Sequence, residues 1–112
     1  MKSAISEYQA LQCKFMTEKT LRDKYIVPCA ELYGLHVYFT WRSDHSPAGY
    51  LDLTIVGRGE VFWAELKREG QELTDGQKEC RRLLLEAGQR VYVWFPHSWF
   101  NGEIERILSG KE

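Results

Sequence analysis

Apolar positions recur along this chain with two different periods, and the changes of period divide it into elements. From Thr17 onward, Leu21, Tyr25, Cys29, Leu32 and Tyr33 return at helical spacing up to Gly34, which lines them along one helix face. Thr17 followed by Glu18 supplies an N-cap with an acidic first turn, and Gly34 suits the residue that ends a helix. Pro28 falls inside this pattern, where its missing N–H predicts a kink or a fresh start of the last turns. Ahead of it, residues 1–16 carry few apolar positions and read as an N-terminal arm or a short helix, with the folded domain expected over 17–112.

The period then shortens. Residues 35–41, rich in β-branched and aromatic side chains, predict a first strand, and the polar stretch Arg42 to Gly49 a loop. Residues 50–56 and 60–67 predict two more strands, joined through Gly57-Arg58-Gly59 into a tight antiparallel hairpin. Thr74-Asp75-Gly76-Gln77 matches a capping box, after which Cys80, Leu83, Leu84 and Ala87 mark an amphipathic helix closed by Gly88. Residues 90–95 predict a fourth strand stopped by Pro96, and Trp99, Ile104, Ile107 and Leu108 a last helix. The order is αβββαβα. A helix between the third and fourth strands predicts a parallel pair with a right-handed crossover, hence an α/β fold with a mixed central sheet flanked by helices.

Composition narrows the class. With 112 residues, 44% of them hydrophobic and 28% charged, the chain has the makings of one globular domain and lies far from disordered compositions. Its longest apolar runs, Tyr38 to Trp41 and Val91 to Pro96, are much too short to cross a bilayer. Ser3, Ser6, Glu7 and Gln9 interrupt any signal-peptide pattern, so a cytoplasmic location is expected. Three cysteines, Cys13, Cys29 and Cys80, form no CxxC and suit neither a disulfide framework nor a zinc site. A net charge of −1 lacks the basic excess of proteins that hold nucleic acid by bulk electrostatics, so nucleic-acid binding would need a local basic surface or dimerisation.

The chemistry centres on Asp52, Glu65 and Lys67. Glu65 and Lys67 are two residues apart on a strand and so project from one face, and a suitable hairpin register sets Asp52 across from one of them. Two converging carboxylates repel unless a cation lies between them, and oxygen donors of this kind, with the Leu66 backbone carbonyl as a further ligand, suit Mg²⁺ or Mn²⁺. A lysine beside such a metal can orient the attacking water and stabilise the charge that builds on a phosphodiester, which points to phosphodiester hydrolysis. Spacing alone leaves a plainer alternative: an E-x-K pair on a solvated sheet face, and an aspartate serving only as a turn or cap residue.

Five segments extend the pattern: Met16-Thr17-Glu18, Leu32-Tyr33-Gly34, Ser46 through Leu53, Ala64-Glu65-Leu66-Lys67, and Leu73 through Gln77. Together they resemble the PD-(D/E)XK nuclease superfamily, and within it the viral-type replication-repair nuclease (VRR-NUC) domain in its stand-alone phage and bacterial form. The likeness runs from about Met16 to Trp99. It implies a restriction-endonuclease-like fold, metal ligation by Asp52 and Glu65, and Lys67 as the catalytic lysine. It adds Glu18, a helix-borne acid near the metal directly or through water, and Gln77, at the start of the helix after the third strand. It further implies a homodimer acting on branched DNA in the manner of a Holliday-junction resolvase. A symmetric pair of active sites suits cutting a symmetric junction on opposing strands.

Alternatives stay open for the added residues. Glu18 can simply complement the helix dipole, and Gln77 can be only the reciprocal member of the Thr74 cap. His45 reads as a solvated loop histidine. Arg42, Arg58, Arg68 and Lys78 are candidate phosphate contacts, which position nucleic acid without reading its sequence. Trp63 and Trp94 read as core, although Trp41 and Trp99 join them as aromatic surfaces on which an unpaired base can stack. Two rival functions keep the same fold, a nuclease cutting linear or single-stranded DNA and a catalytically silent DNA-binding module. A third is a plain interaction domain.

Overall fold

Ser6 opens the first helix, α1 (Glu7–Phe15), in the computed structural model, which describes residues 5–39 and 50–111. The Ser6 hydroxyl accepts from the Gln9 N–H at 3.1 Å, and the Gln9 side chain accepts from the Ser6 N–H at 3.0 Å. This reciprocal cap, Ser-x-x-Gln in the sequence, makes a helix of most of the stretch expected to be an arm or a short helix.

The next helix runs without a break through α2 (Glu18–Thr20), a π-helical segment Leu21–Ile26, and α3 (Val27–Leu32). Thr17 caps it as expected, accepting from the Thr20 N–H at 3.1 Å. The Val27 N–H reaches back five residues to the Arg22 carbonyl, and Pro28 follows at once. A widened turn thus stands just before the proline, where a kink or a fresh start of the last turns was the expectation, and Pro28 falls in the first turn of α3.

The four strands are β1 (His36–Phe39), β2 (Leu53–Gly57), β3 (Glu60–Leu66) and β4 (Arg90–Trp94), in sheet order β1-β2-β3-β4. The pairs β1/β2 and β2/β3 are antiparallel and β3/β4 is parallel. Gly57 pairs with Glu60, leaving Arg58 and Gly59 as a two-residue turn with φ of 52° and 77°. Two positive φ values define the hairpin turn whose twist matches the flanking strands. Gly57 is required for another reason: a Cβ there would lie 2.6 Å from the Gly34 carbonyl oxygen.

Several expected boundaries move, most of the shifted strand ends by one residue. β2 begins at Leu53, so Asp52 stands one residue ahead of the strand, and β3 ends at Leu66, although the Lys67 N–H still donates to the Trp94 carbonyl at 3.0 Å. The last helix is two, α5 (Pro96–Phe100) and α6 (Glu103–Ser109), because Gly102 at φ 86° breaks the helical path between them. The crossover helix α4 (Asp75–Glu86) keeps its Thr74 cap, yet none of its residues is buried. Thr40, Trp41 and the 42–49 loop lie outside the described residues.

One sheet face carries Leu53, Ile55, Phe62, Ala64, Leu66 and Trp94, all essentially without exposure, packed with Leu21, Ile26 and Ala30 and with Ile104 and Leu108. This is a single α/β domain: a mixed four-stranded sheet flanked by helices. Alternation puts Asp52, Thr54 and Val56 with Val61, Trp63 and Glu65 on the other face. Val56 and Val61 remain exposed there. Among the described residues, no helix is long and apolar enough to cross a membrane.

Candidate active site

The hairpin register that pairs Leu53 with Ala64 brings Asp52 opposite Glu65 when carried one residue further. At this position side chains replace the ladder. The Asp52 N–H donates to Glu65 Oε1 at 3.0 Å, and the Leu66 N–H donates to Asp52 Oδ2 at 2.9 Å. Each carboxyl is thus aimed by the backbone of the other's strand, which sets the two side chains next to each other.

Glu65 is 1% exposed. Burial pushes its carboxyl up to about 8, the negative charge of Asp52 adds to the rise, and Lys67 offsets only part of it. The Lys67 ammonium lies 4.0 Å from Glu65 Oε2 and is itself buried. Glu18, half-buried on α2, is raised first by burial and then by the charge of Asp52, while Lys67 and Arg68 pull it back. The first helix after α1 therefore contributes its acid to the same electrostatic centre.

Gln77 uses both ends of one amide. Its Oε1 accepts from the Thr74 N–H at 2.9 Å, completing the cap of α4, and its Nε2 donates to Glu65 Oε2 at 2.8 Å. Because the cap needs an acceptor, the amide orientation is determined, and its donor end is left for the carboxylate.

Asp52, Glu65, Lys67, Gln77 and Glu18 thus come together. Among the phosphate-contact candidates, Arg68 is exposed next to Lys67 and acts electrostatically on Glu18, and Lys78 is exposed beside Gln77. Arg58 does not join them. It sits on the hairpin turn, at the opposite end of β2 from Asp52, donating to the Tyr33 carbonyl at 3.1 Å and pairing with Glu60 at 3.3 Å. Arg42 and His45 lie outside the described residues. Trp94 is core and Trp99 packs on Tyr25 at 5.3 Å, whereas Trp63 is only half-buried, on the more open sheet face.

The donor set at the centre is all oxygen. Among the described residues, no group of three or more His, Cys, Asp or Glu side chains could hold a metal ion by themselves. A cation here would take Asp52, Glu65 and the Leu66 carbonyl and leave other positions to water, the partial protein shell that Mg²⁺ accepts. The residues fit it, because a buried carboxylate pushed up by a neighbouring one is relieved by a positive charge. Comparisons with protein-family models, with curated proteins and with solved structures found no match. The functional reading therefore stands on the geometry and on the motif pattern.

Two features escaped the sequence. Glu69 accepts from the His97 N–H at 2.7 Å, and both its oxygens lie 2.9 Å from His97 Nδ1. This ties the segment after Lys67 to the start of α5, across a separation that no spacing rule reveals. The other is a cleft beside Asp52, lined by Tyr38, Phe39, Tyr50, Asp52 and Thr54, into which Tyr38 and Tyr50 bring exposed rings. Its signal was present in the alternation of β1 but required the β1/β2 register.

Proposed function

We propose that this chain is a divalent-metal-dependent DNA endonuclease of the PD-(D/E)XK type, similar to VRR-NUC domains. The observation that carries this reading is the meeting of the Asp52 and Glu65 carboxyls at the open end of the hairpin, with Lys67 and Gln77 on the same carboxylate. A solvated charge pair does not account for it, since Glu65 is 1% exposed and its carboxyl is held against a second one.

In this reading Asp52, Glu65 and the Leu66 carbonyl would hold Mg²⁺ or Mn²⁺, with Glu18 near it directly or through water. When bound, such an ion supplies Lewis-acid stabilisation of a phosphodiester and acidifies a water molecule. The Lys67 ammonium orients the attacking water and balances charge building on the phosphoryl oxygens. Gln77 holds the Glu65 carboxylate in place through Nε2, and Arg68 and Lys78 contact phosphates on either side. Branched DNA is the proposed substrate and a homodimer the proposed active form. Tyr8, Leu11 and Phe15, exposed at helical spacing along α1, offer apolar area for association.

The test incubates labelled duplex, flap and four-way-junction DNA with Mg²⁺, Mn²⁺ or EDTA, using the wild type, Asp52→Asn and Lys67→Ala. Metal-dependent cleavage, reduced by about 10²-fold or more in either variant, is expected. Cutting that survives EDTA or Asp52→Asn overturns the reading, and equal cutting of all three DNAs removes the preference for branches.

A further inference from the structure

Beside the carboxylates lies a cleft of about 180 Å³ lined by Tyr38, Phe39, Tyr50, Asp52 and Thr54. Tyr38 on β1 pairs with Thr54, and Asp52 stands two residues before Thr54 on the same sheet face. A diagonal neighbour of this kind is about 7–8 Å away, within reach of an aromatic side chain. Tyr50 approaches from the chain just ahead of Asp52. Both rings are largely in solvent, Tyr38 at 58% and Tyr50 at 49% exposure. The His36 ring packs on Tyr38 at 4.4 Å, which supports it from behind along the strand. Phe39, at the end of β1, carries the Arg22 guanidinium over its ring at 4.2 Å.

The cleft is below the roughly 300 Å³ at which sites enclose a whole small ligand. Two of its lining side chains, Tyr38 and Tyr50, are exposed aromatics, and Asp52, the carboxylate that would address a phosphodiester, lines it beside them. Phe39 turns toward the core on the other sheet face. A paired base has both faces covered by its stacked neighbours, whereas an unpaired base has a free face that an aromatic side chain can cover. We infer that this cleft is a stacking subsite for one unpaired nucleobase next to the phosphodiester to be cut, held against Tyr38 and Tyr50. The inference rests on the nuclease reading and specifies its substrate class: DNA with an unpaired base at the cleavage point, as flaps and strained junctions provide.

The test uses the full chain in EDTA, so that binding is read without cleavage. Duplexes carry 2-aminopurine either paired or as a single unpaired base, and its fluorescence is quenched when it stacks on an aromatic ring. Stronger quenching of the unpaired probe is expected with the wild type. Tyr38→Ala and Tyr50→Ala should lose that quenching and weaken binding of the unpaired-base duplex by about 5- to 150-fold, with paired duplex little changed. Tyr38→Phe and Tyr50→Phe should retain both, because the ring and not the hydroxyl does the stacking. Equal quenching of paired and unpaired probes by the wild type overturns the subsite, whatever the variants do. So does quenching that persists in both alanine variants while they remain folded by circular dichroism. Addition of Mg²⁺ separates the two readings. If the fluorescence results hold and no DNA is cut, the subsite stands and the nuclease reading falls. If DNA is cut and the alanine variants leave the ratio of kcat/KM for unpaired over paired substrate unchanged, the subsite falls alone.

Discussion

Gln77 shows how one side chain can serve local structure and a site together. Its carbonyl end completes the Thr74 cap and its amino end holds Glu65, so two substitutions separate the roles. Gln77→Glu keeps an acceptor for the cap, since glutamate also closes a capping box. It replaces the donor facing Glu65 with a carboxyl, adding an acid to Asp52, Glu65 and Glu18. Helix content should change little, while metal-dependent cleavage falls by about 10- to 100-fold, the usual size of such supporting contacts. Gln77→Ala should lose activity to a similar degree and about 1 kcal/mol of stability as well, measured by urea denaturation. Equal losses of helix content in the two variants would mean that the cap is not what distinguishes them. Legibility at this scale follows the reach of each rule. Glu65 and Lys67 share a face by strand alternation alone, and Asp52 needed the register. Gln77 announced both of its roles without a means of choosing. Glu69 and His97 carry no local pattern, so their contact is visible only in three dimensions.

Among the elements, the hairpin gives the sharpest case. At Gly57 a side chain would meet the backbone of Gly34 and Leu35, at 2.6 and 3.1 Å, whereas at Gly59 a Cβ meets nothing within 4 Å and only the φ of 77° opposes it. Gly57→Ala should therefore destabilise the fold by about 2–4 kcal/mol, and Gly59→Ala by less. Denaturation midpoints of the two variants test this, and similar losses would show that backbone strain alone governs both. The crossover helix, the hairpin and the parallel fourth strand were readable because patterning and turn chemistry agreed there. Strand ends were not, because at Asp52 and Leu66 side chains take amides that a longer ladder would have used. The split between α5 and α6 hid behind apolar spacing that continues across it, and the π-helical turn behind a proline that permits more than one remedy.

For the molecule as a whole, the buried carboxyl sets a pH dependence. Glu65 is raised from 4.5 to about 8, so between those values the folded protein keeps a proton that the unfolded chain has released. The stability this provides is fully present below the ordinary value and is lost as pH rises toward about 8, after which the curve is flat. Glu18, also raised, acts in the same direction. The metal-free protein should therefore melt at progressively lower temperature from pH 5 to pH 8. Glu65→Gln should flatten that slope, and saturating Mg²⁺ should counter it, since a bound cation takes the place of the proton. Calorimetry at several pH values reads all three, and parallel slopes for wild type and Glu65→Gln would refute the assignment. The helix that brings Gln77 to this carboxyl has none of its residues buried, whereas Glu65 sits on a strand paired on both sides. One wall of the site is therefore anchored in the most protected part of the protein and the other in a loosely seated part. On the nuclease reading, warming is expected to release that second wall before the core unfolds, so cleavage should fall at temperatures below the melting transition.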